Sequence, residues 1–264
     1  MVTIDEYVKP GSVAEAYTLL TSSENAAVVG GGVFMRLASR KIGLALDLSR
    51  AGLDYIRESD AAIEIGAMTS FRTLERSAVL QRNLDGLIPK AIANVPGVQL
   101  RNMVSVGGTV YGRYGFSEFI TCLLALDCRV VLHRRGELSL ADFLASRGNA
   151  KDILEKIVLR KETLRGAYQM FRNSLGSLPI LSVAVTKHDA GYRVAVGARP
   201  AVAKLAGGAM SYLNETAPGA AASAKAGELA AAELEFTNDR RASAAYRREL
   251  CGVLVRRALQ EVQS

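Results

Sequence analysis

Two glycine-rich segments are the part of this sequence best suited to hold a ligand through the backbone. The apolar run Ala26–Val29 leads directly into Gly30–Gly32, and a pair formed by Gly107 and Gly108 follows later. Glycines after a strand let backbone N–H groups approach an anion without obstruction by a Cβ atom, and a helix that begins there adds the positive end of its dipole. Two such turns, each framed by strand and helix, predict a site for a pyrophosphate between them.

A dinucleotide site of the Rossmann type is one alternative for the first segment. Its fingerprint is G-x-G-x-x-G, and Met35 stands where the third glycine belongs. Asp47, at the end of the next strand-like run, could imitate the acidic partner of the ribose. A Rossmann domain does not account for the second glycine pair, so this interpretation is the weaker one.

The elements around the glycines alternate between strand and helix patterns. The sequence predicts a strand at Ala26–Val29, a helix over 33–40 and a strand over 44–48. Further along, 62–66 alternates with period two, and 117–127 has helical spacing. The first half of the chain is therefore predicted to be an α/β arrangement with both glycine segments in similar settings.

The second half of the chain has a different pattern. Three period-two segments follow one another, and the turn Asp189–Gly191 between the last two predicts an antiparallel hairpin. Alanine-rich helices are predicted over 202–235, and an amphipathic helix is predicted over 243–262. We therefore expect two domains, 1–163 and 164–264.

Composition limits the remaining functions. The longest apolar runs fall short of the roughly 18–20 residues of a membrane span, and the first residues are acidic where a secretory signal is basic, so we expect a cytoplasmic protein without a membrane span. The net charge of +7 comes from dispersed basic residues in a chain without tryptophan, which favours a solvated or protein-docking surface over nucleic-acid binding. Two histidines and three scattered cysteines predict neither a metal site nor a catalytic constellation.

Three segments around the glycines carry longer motifs. They are 27–35 (AVVGGGVFM), 99–110 (QLRNMVSVGGTV) and 117–127 (SEFITCLLALD). In that order they resemble the A-G-G-T-D-L, Q-I-R-N-x-A-T-I-G-G-N-I and S-D-x-x-P-x-L-L-A-L-D motifs of the FAD-binding medium subunits of molybdenum hydroxylases, the family of the xanthine dehydrogenase and carbon monoxide dehydrogenase flavoproteins. Further likeness at 154–159 and 243–259 extends the resemblance to nearly the last residue.

The resemblance implies an α+β fold in two parts. Residues 1–163 would form a two-subdomain FAD-binding domain of the vanillyl-alcohol-oxidase (PCMH) type. Residues 164–264 would form a small α+β domain, similar to the C-terminal domain of carbon monoxide dehydrogenase flavoproteins, with a three-stranded antiparallel sheet and helices.

The resemblance also implies a non-covalent FAD and the residues that contact it. The pyrophosphate would lie between Gly30–Phe34 and Ser105–Thr109, with Glu118 at the ribitol or ribose, Val95 at the adenine and Leu154 against the flavin. Leu154 could equally be a core residue, and Glu118 an exposed helix residue. The complete set of expected contacts is Val29, Gly30, Gly31, Gly32, Val33, Phe34, Val95, Ser105, Gly107, Gly108, Thr109, Glu118 and Leu154.

In a subunit of this kind the organic substrate is oxidised on another chain. The resemblance implies two partners, a molybdopterin-binding large subunit and a small subunit with [2Fe-2S] clusters. This chain would relay electrons from the clusters to NAD or another acceptor. No histidine lies near either glycine segment, so the flavin is expected to be released on denaturation.

The chain departs from the family motifs at several positions. Gly32 and Val33 replace a threonine and an aspartate, Thr109 replaces an asparagine, and the lysine expected near Gln169 and Met170 is missing. Lost polar contacts of this kind cost about 0.5–1.5 kcal/mol each, whereas backbone contacts would survive. Two alternatives therefore stay open: a subunit that keeps the fold for assembly but has lost FAD, and a stand-alone flavin oxidoreductase of the same fold.

Overall fold

The structure is a computed structural model that describes residues 1–146 and 151–264. The chain forms two compact units. The first comprises Met1–Leu74, Gly97–Gly112 and Cys128–Arg160, and the second comprises Glu75–Pro96, Arg113–Asp127 and Lys161–Ser264. Each unit therefore draws on separate stretches of the chain.

The first unit contains a three-stranded parallel sheet. Its strands are β1 (Thr3–Val8), β2 (Ala26–Val29) and β3 (Lys41–Asp47), in the order β1-β3-β2. Ile42, Ala45 and Leu46 of the central strand are buried, as expected for a strand covered on its faces. Because the strands run in the same direction, their carboxyl ends share one edge of the sheet, and Gly30–Gly32 follow β2 at this edge.

The first unit also contains a five-stranded antiparallel sheet. Its strands are β4 (Ile56–Glu58), β5 (Ala62–Gly66), β6 (Arg129–Leu132), β7 (Gly136–Ser139) and β8 (Leu154–Arg160), in the order β4-β5-β8-β6-β7. Strand β8 lies in the centre and pairs with β5 and β6. Val131 pairs with Lys156 but Leu132 pairs with Leu154, so Glu155 is an extra residue that forms a bulge in β8.

Helices follow or connect these strands and form much of the second unit. In chain order they are α1 (Val13–Ser22), α2 (Phe71–Arg76), α3 (Ala78–Arg82), α4 (Leu87–Ile92), α5 (Val98–Met103), α6 (Val106–Gly112), α7 (Glu118–Ala125), α8 (Leu140–Ala145), α9 (Gly207–Glu215), α10 (Ala220–Glu233) and α11 (Ala244–Gln263). Turns of 3-10 helix occupy Met35–Leu37, Leu48–Arg50 and Leu84–Gly86. None of the helices in the described residues has both the length and the apolar character needed to cross a bilayer.

Helix α1 illustrates how local chemistry fixes the ends of an element. Ser12 is its N-cap, and the Ser12 hydroxyl accepts a hydrogen bond from the amide of Glu15 at 3.2 Å. At the other end, the Lys151 ammonium donates to the carbonyls of Leu20 and Glu24, each at 3.2 Å. This positive charge lies at the negative end of the helix dipole and therefore stabilises α1.

The second unit packs helices against an antiparallel sheet. Its strands are β9 (Arg165–Phe171), β10 (Leu181–His188), β11 (Gly191–Gly197) and β12 (Lys204–Leu205), in the order β12-β11-β10-β9. Val183 and Val194 of the sheet share one apolar core with Leu254 of α11. Helices α10 and α11 approach closely at Gly227, where a Cβ atom would lie only 2.5 Å from the carbonyl oxygen of Gly252.

A buried arginine ties α11 to this sheet. Arg247 is 0% exposed, and its Nη1 atom donates to the carbonyls of Ile180 at 2.7 Å and Ala198 at 2.6 Å. Its Nη2 atom forms an ion pair with Asp239, which also binds Arg241 at 2.7 Å. Arg247 therefore joins the helix to the chain just before β10 and just after β11.

Most of the predicted elements are present. Strands β2 and β5 and the hairpin of β10 and β11 are confirmed, and so are the alanine-rich helices and the final helix. The sheet of the second unit has a short fourth strand, β12, that the sequence did not predict. The helix predicted over 33–40 is wrong, because Ala38 is already extended (φ −78°, ψ 148°) as the chain turns towards β3 and only the turn Met35–Leu37 forms.

Candidate functional site

The first glycine segment, Gly30–Gly32, reverses the chain at the end of β2. Gly31 and Gly32 have φ angles of +73° and +68°, a left-handed conformation that residues with a Cβ atom rarely adopt. A Cβ atom at Gly31 would lie 1.7 Å from the carbonyl oxygen of Met103. Position 31 therefore requires glycine for its conformation and for its space.

The second glycine pair lies inside a helix. Gly107 and Gly108 belong to the first turn of α6, directly after Ser105, whose hydroxyl accepts a hydrogen bond from the amide of Gly108 at 3.1 Å. The amide of Gly107 donates to the carbonyl of Ala67 at 2.7 Å. The sequence predicted a glycine turn here. This prediction is wrong, because Ser105 caps a helix that begins one residue later and contains both glycines.

The two glycine segments touch through their backbones. A Cβ atom at Gly30 would lie 2.8 Å from the Ser105 Oγ atom and 3.1 Å from the Cα atom of Gly108. A Cβ atom at Gly108 would lie 2.6 Å from the carbonyl oxygen of Gly30. The structure thus brings together the two segments that the sequence assigned to one site, and glycines make this approach possible.

The backbone donors of the two segments differ in what they bind. The first amides of α6 donate to protein acceptors, with Val106 bound to the Thr69 carbonyl at 3.0 Å. Within residues 1–146 and 151–264, by contrast, no group accepts a hydrogen bond from the amides of Gly31, Gly32 and Val33. Consecutive backbone donors in such a turn suit an anionic oxygen. The residues present therefore fit a diphosphate through the first segment, with the second segment as its support.

Four further residues from the predicted set lie in the first unit. Val29 ends β2 opposite Asp47, and Phe34 precedes the 3-10 turn. Thr109 is buried within α6. Leu154 is buried and begins β8 at the bulge. Leu154 is therefore part of the core of this unit, and its contact with a flavin stays a prediction.

Val95 and Glu118 belong to the second unit. Arg172 contacts the residue before Val95 and acts electrostatically on Glu118. The Arg172 Nη1 atom donates to the carbonyl of Asn94, next to the buried Val95, at 2.7 Å. The positive charge of Arg172 also acts on the carboxylate of Glu118. Glu118 is only 6% exposed at the start of α7, so the alternative of an exposed helix residue is wrong.

Sequence reasoning missed Arg172 and Ala67. The lysine of the family was expected near Gln169 and Met170, whereas the cation close to Asn94 and Glu118 is Arg172, directly after β9. Ala67 acts only through its backbone, since its amide donates to the Glu155 carbonyl at 2.9 Å and its carbonyl accepts from Gly107. A backbone role of this kind leaves no signal in the side chain.

The carboxyl group of Glu118 has a pKa near neutral pH. Burial raises the pKa of Glu118 to about 7, although its own backbone amide and the charge of Arg172 act to lower this pKa. A carboxyl group that is partly protonated at neutral pH can donate as well as accept a hydrogen bond. The predicted contact with a ribitol or ribose hydroxyl is compatible with either form.

The Glu118→Gln variant should be more stable than the parent protein at alkaline pH. The pKa of Glu118 lies above its ordinary value of 4.5 in the folded state, so the folded protein retains a proton that the unfolded chain releases. Stability should therefore fall as pH rises from about 4.5 to about 7, and glutamine should restore up to about 3 kcal/mol above this window. Urea unfolding at about pH 5 and about pH 8 measures the difference.

The exposed Glu249 provides the control for this variant. Glu249→Gln should change stability by about 0.5 kcal/mol or less at both pH values. If the stability difference between Glu118→Gln and the parent protein were the same at both pH values, the carboxyl group would not titrate in the predicted window.

Comparison with known proteins identifies the class of protein. Residues 3–160 match the family described as the FAD binding domain in molybdopterin dehydrogenase, and residues 166–262 match the CO dehydrogenase flavoprotein C-terminal domain. The first match covers more than half of the chain. The chain therefore belongs to the family of FAD-binding flavoprotein subunits of molybdopterin-dependent dehydrogenases, which are oxidoreductase components. The resemblance drawn from the sequence motifs, with FAD as the cofactor, is confirmed.

Two relatives align with this chain over nearly their whole length, and a solved structure shares its fold. The protein YgfM of Escherichia coli (strain K12) is 28% identical over 258 residues, which cover 96% of this chain and 94% of that protein. The nicotine 6-hydroxylase medium subunit of Paenarthrobacter nicotinovorans is 25% identical over 275 residues, which cover 97% of this chain and 96% of that protein. Carbon monoxide dehydrogenase from Hydrogenophaga pseudoflava aligns with a TM-score of 0.91 at 24% identity, covering 99% of this chain and 98% of that chain. The structural likeness confirms the predicted fold.

Proposed function

We propose that this chain is the flavin relay of a molybdenum-dependent hydroxylase. It works with a molybdopterin-binding large subunit and a small subunit that carries [2Fe-2S] clusters. When bound, FAD supplies the chemistry that takes electrons from the clusters and passes them to NAD or another acceptor. One relative named above is a medium subunit, which supports a role as one component of a larger enzyme.

The observation that carries the proposal is the contact between the two glycine segments beside a row of backbone donors. The amides of Gly31, Gly32 and Val33 bind the pyrophosphate, and Ser105 together with Gly107–Thr109 holds these donors in place. Glu118 binds a ribitol or ribose hydroxyl, and Val95 and Leu154 contribute apolar contacts. The cofactor domain ends near residue 163. This chain holds and orients the cofactor, and substrate selection belongs to the large subunit.

Flavin binding by the purified full-length chain tests the first part of the proposal. We expect the protein to show the visible absorbance of bound flavin, either as purified or after incubation with excess FAD. The flavin should be released when the protein is denatured, because neither histidine lies near a glycine segment in the sequence. A folded protein that stays colourless with excess FAD would instead support a subunit that keeps the fold for assembly alone.

Capture of the tagged chain from its native host tests the second part. A large subunit and a small subunit should copurify, with molybdenum and iron in the complex. A chain that retains flavin and oxidises substrates without any partner would instead be a stand-alone flavin oxidoreductase.

A further inference from the structure

Asp152 is a buried carboxylate at the entrance to β8, two residues before Leu154. It is 3% exposed. Its Oδ1 atom accepts hydrogen bonds from the amides of Arg134 at 3.1 Å and Ile153 at 2.8 Å, and its Oδ2 atom accepts one from the amide of Arg135 at 3.1 Å. A buried carboxylate is costly unless it is satisfied in this way. Asp152 therefore fixes the hairpin after β6 to the first residues of β8.

The same stretch of β8 is bound to the helix that carries the second glycine pair. The amide of Asp152 donates to the hydroxyl oxygen of Tyr111, on α6, at 3.2 Å. The bulge residue Glu155 accepts a hydrogen bond from the amide of Ala67 at 2.9 Å, and the Ala67 carbonyl accepts one from Gly107 at 2.7 Å. Asp152 and Glu155 thus hold the start of β8 against both ends of α6. Leu154 lies between these two attachment points.

We infer that Asp152 is a positioning residue of the flavin site. Asp152 holds the hairpin, the start of β8 and Tyr111 in fixed positions relative to one another. It thereby sets the position of Leu154 relative to the glycine segments. This inference rests on the proposed function, in which Leu154 contacts the flavin. A bulge that re-aims a side chain next to a binding site is a recurrent use of this irregularity. The carboxylate matters for the shape of the site as well as for its stability.

The test compares Asp152→Asn with Asp85→Asn in the full-length chain. Asparagine at 152 places an NH₂ group where an acceptor for a backbone amide is needed, and the amide left without an acceptor should shift the start of β8. Asp85 provides a control in the second unit, because its more exposed carboxylate also accepts a hydrogen bond from a backbone amide, that of Gly166 at 3.0 Å, and pairs with Lys90 at 3.5 Å. FAD dissociation constants, visible spectra of the bound flavin, midpoint potentials and melting temperatures are measured for both variants.

Asp152→Asn should weaken FAD binding by roughly tenfold and change both the visible spectrum and the midpoint potential of the flavin that remains bound. Asp85→Asn should lower the melting temperature without altering the spectrum or the potential. If Asp152→Asn bound FAD with the parental affinity, spectrum and potential, or changed them no more than Asp85→Asn, the positioning role would be wrong. A parent protein that binds no FAD would overturn the proposed function itself, and the inference with it.

Discussion

Replacing Gly31 by alanine should abolish FAD binding and lower the free energy of unfolding by more than about 4 kcal/mol. Two effects add at this position. The left-handed φ angle of +73° costs a residue with a Cβ atom about 1–2 kcal/mol. The new methyl group would also lie 1.7 Å from the Met103 carbonyl oxygen and 2.9 Å from its carbon, which are backbone atoms that cannot rotate away. Gly31 and the Met103 carbonyl must then move apart, which disturbs the contact of the two glycine segments beside them. Urea unfolding and FAD titration measure both losses.

Two other glycines separate the conformational effect from the steric one. Gly52 has a φ angle of +72°, and a Cβ atom there would meet no atom of the described residues within 4 Å, so Gly52→Ala should cost only about 1–2 kcal/mol. Gly32 has a φ angle of +68°, and a Cβ atom there would lie 3.8 Å from the Val29 Cγ1 atom, an ordinary contact distance. Equal losses of stability for Gly31→Ala and Gly52→Ala would show that the close approach of Gly31 to the Met103 carbonyl does not limit the substitution.

Replacing Arg247 by methionine should lower the free energy of unfolding by about 3–5 kcal/mol. Methionine has a similar length but cannot donate to the carbonyls of Ile180 and Ala198, which now share the buried guanidinium. Asp239 would lose one of its two arginine partners at the same time. The loss should appear as a lower urea midpoint with an unchanged slope.

The neighbouring Arg248 offers the same substitution in an exposed place. Its guanidinium lies 5.9 Å from the centre of the Phe236 ring, so Arg248→Met should cost about 1 kcal/mol or less. If the two variants lost the same amount of stability, the buried hydrogen bonds of Arg247 would make no contribution to the free energy of unfolding beyond that of an exposed arginine.

The local part of this fold could be predicted from the sequence. Strands such as Ala62–Gly66 and the hairpin around Asp189–Gly191 are set by alternation and turn residues that neighbours in the chain supply. The same holds for the alanine-rich helices. The first glycine segment was visible because glycine in a run after a strand has few structural purposes other than tight turns and close approach.

The rest depends on contacts between residues that are distant in the sequence. Nothing near Gly31 indicates that the Met103 carbonyl will lie against it, and nothing near Glu118 indicates that its carboxyl group will be buried. The helix predicted over 33–40 does not form, because the chain must turn back into β3. This requirement comes from the sheet and not from the local residues. Site geometry of this kind forms only when segments that are distant in the sequence pack together.

The amides of Gly31, Gly32 and Val33, which have no acceptor in the described part of the chain, have a consequence for how this segment can change over generations. Every residue except proline has a backbone N–H group. A point mutation therefore removes such a donor only when it introduces proline. Selection must instead preserve the backbone conformation of the loop, which requires a residue without a Cβ atom at Gly31. The side chain at Val33 can therefore change without loss of a backbone donor, whereas Gly32, with its left-handed φ angle of +68°, is constrained by its conformation.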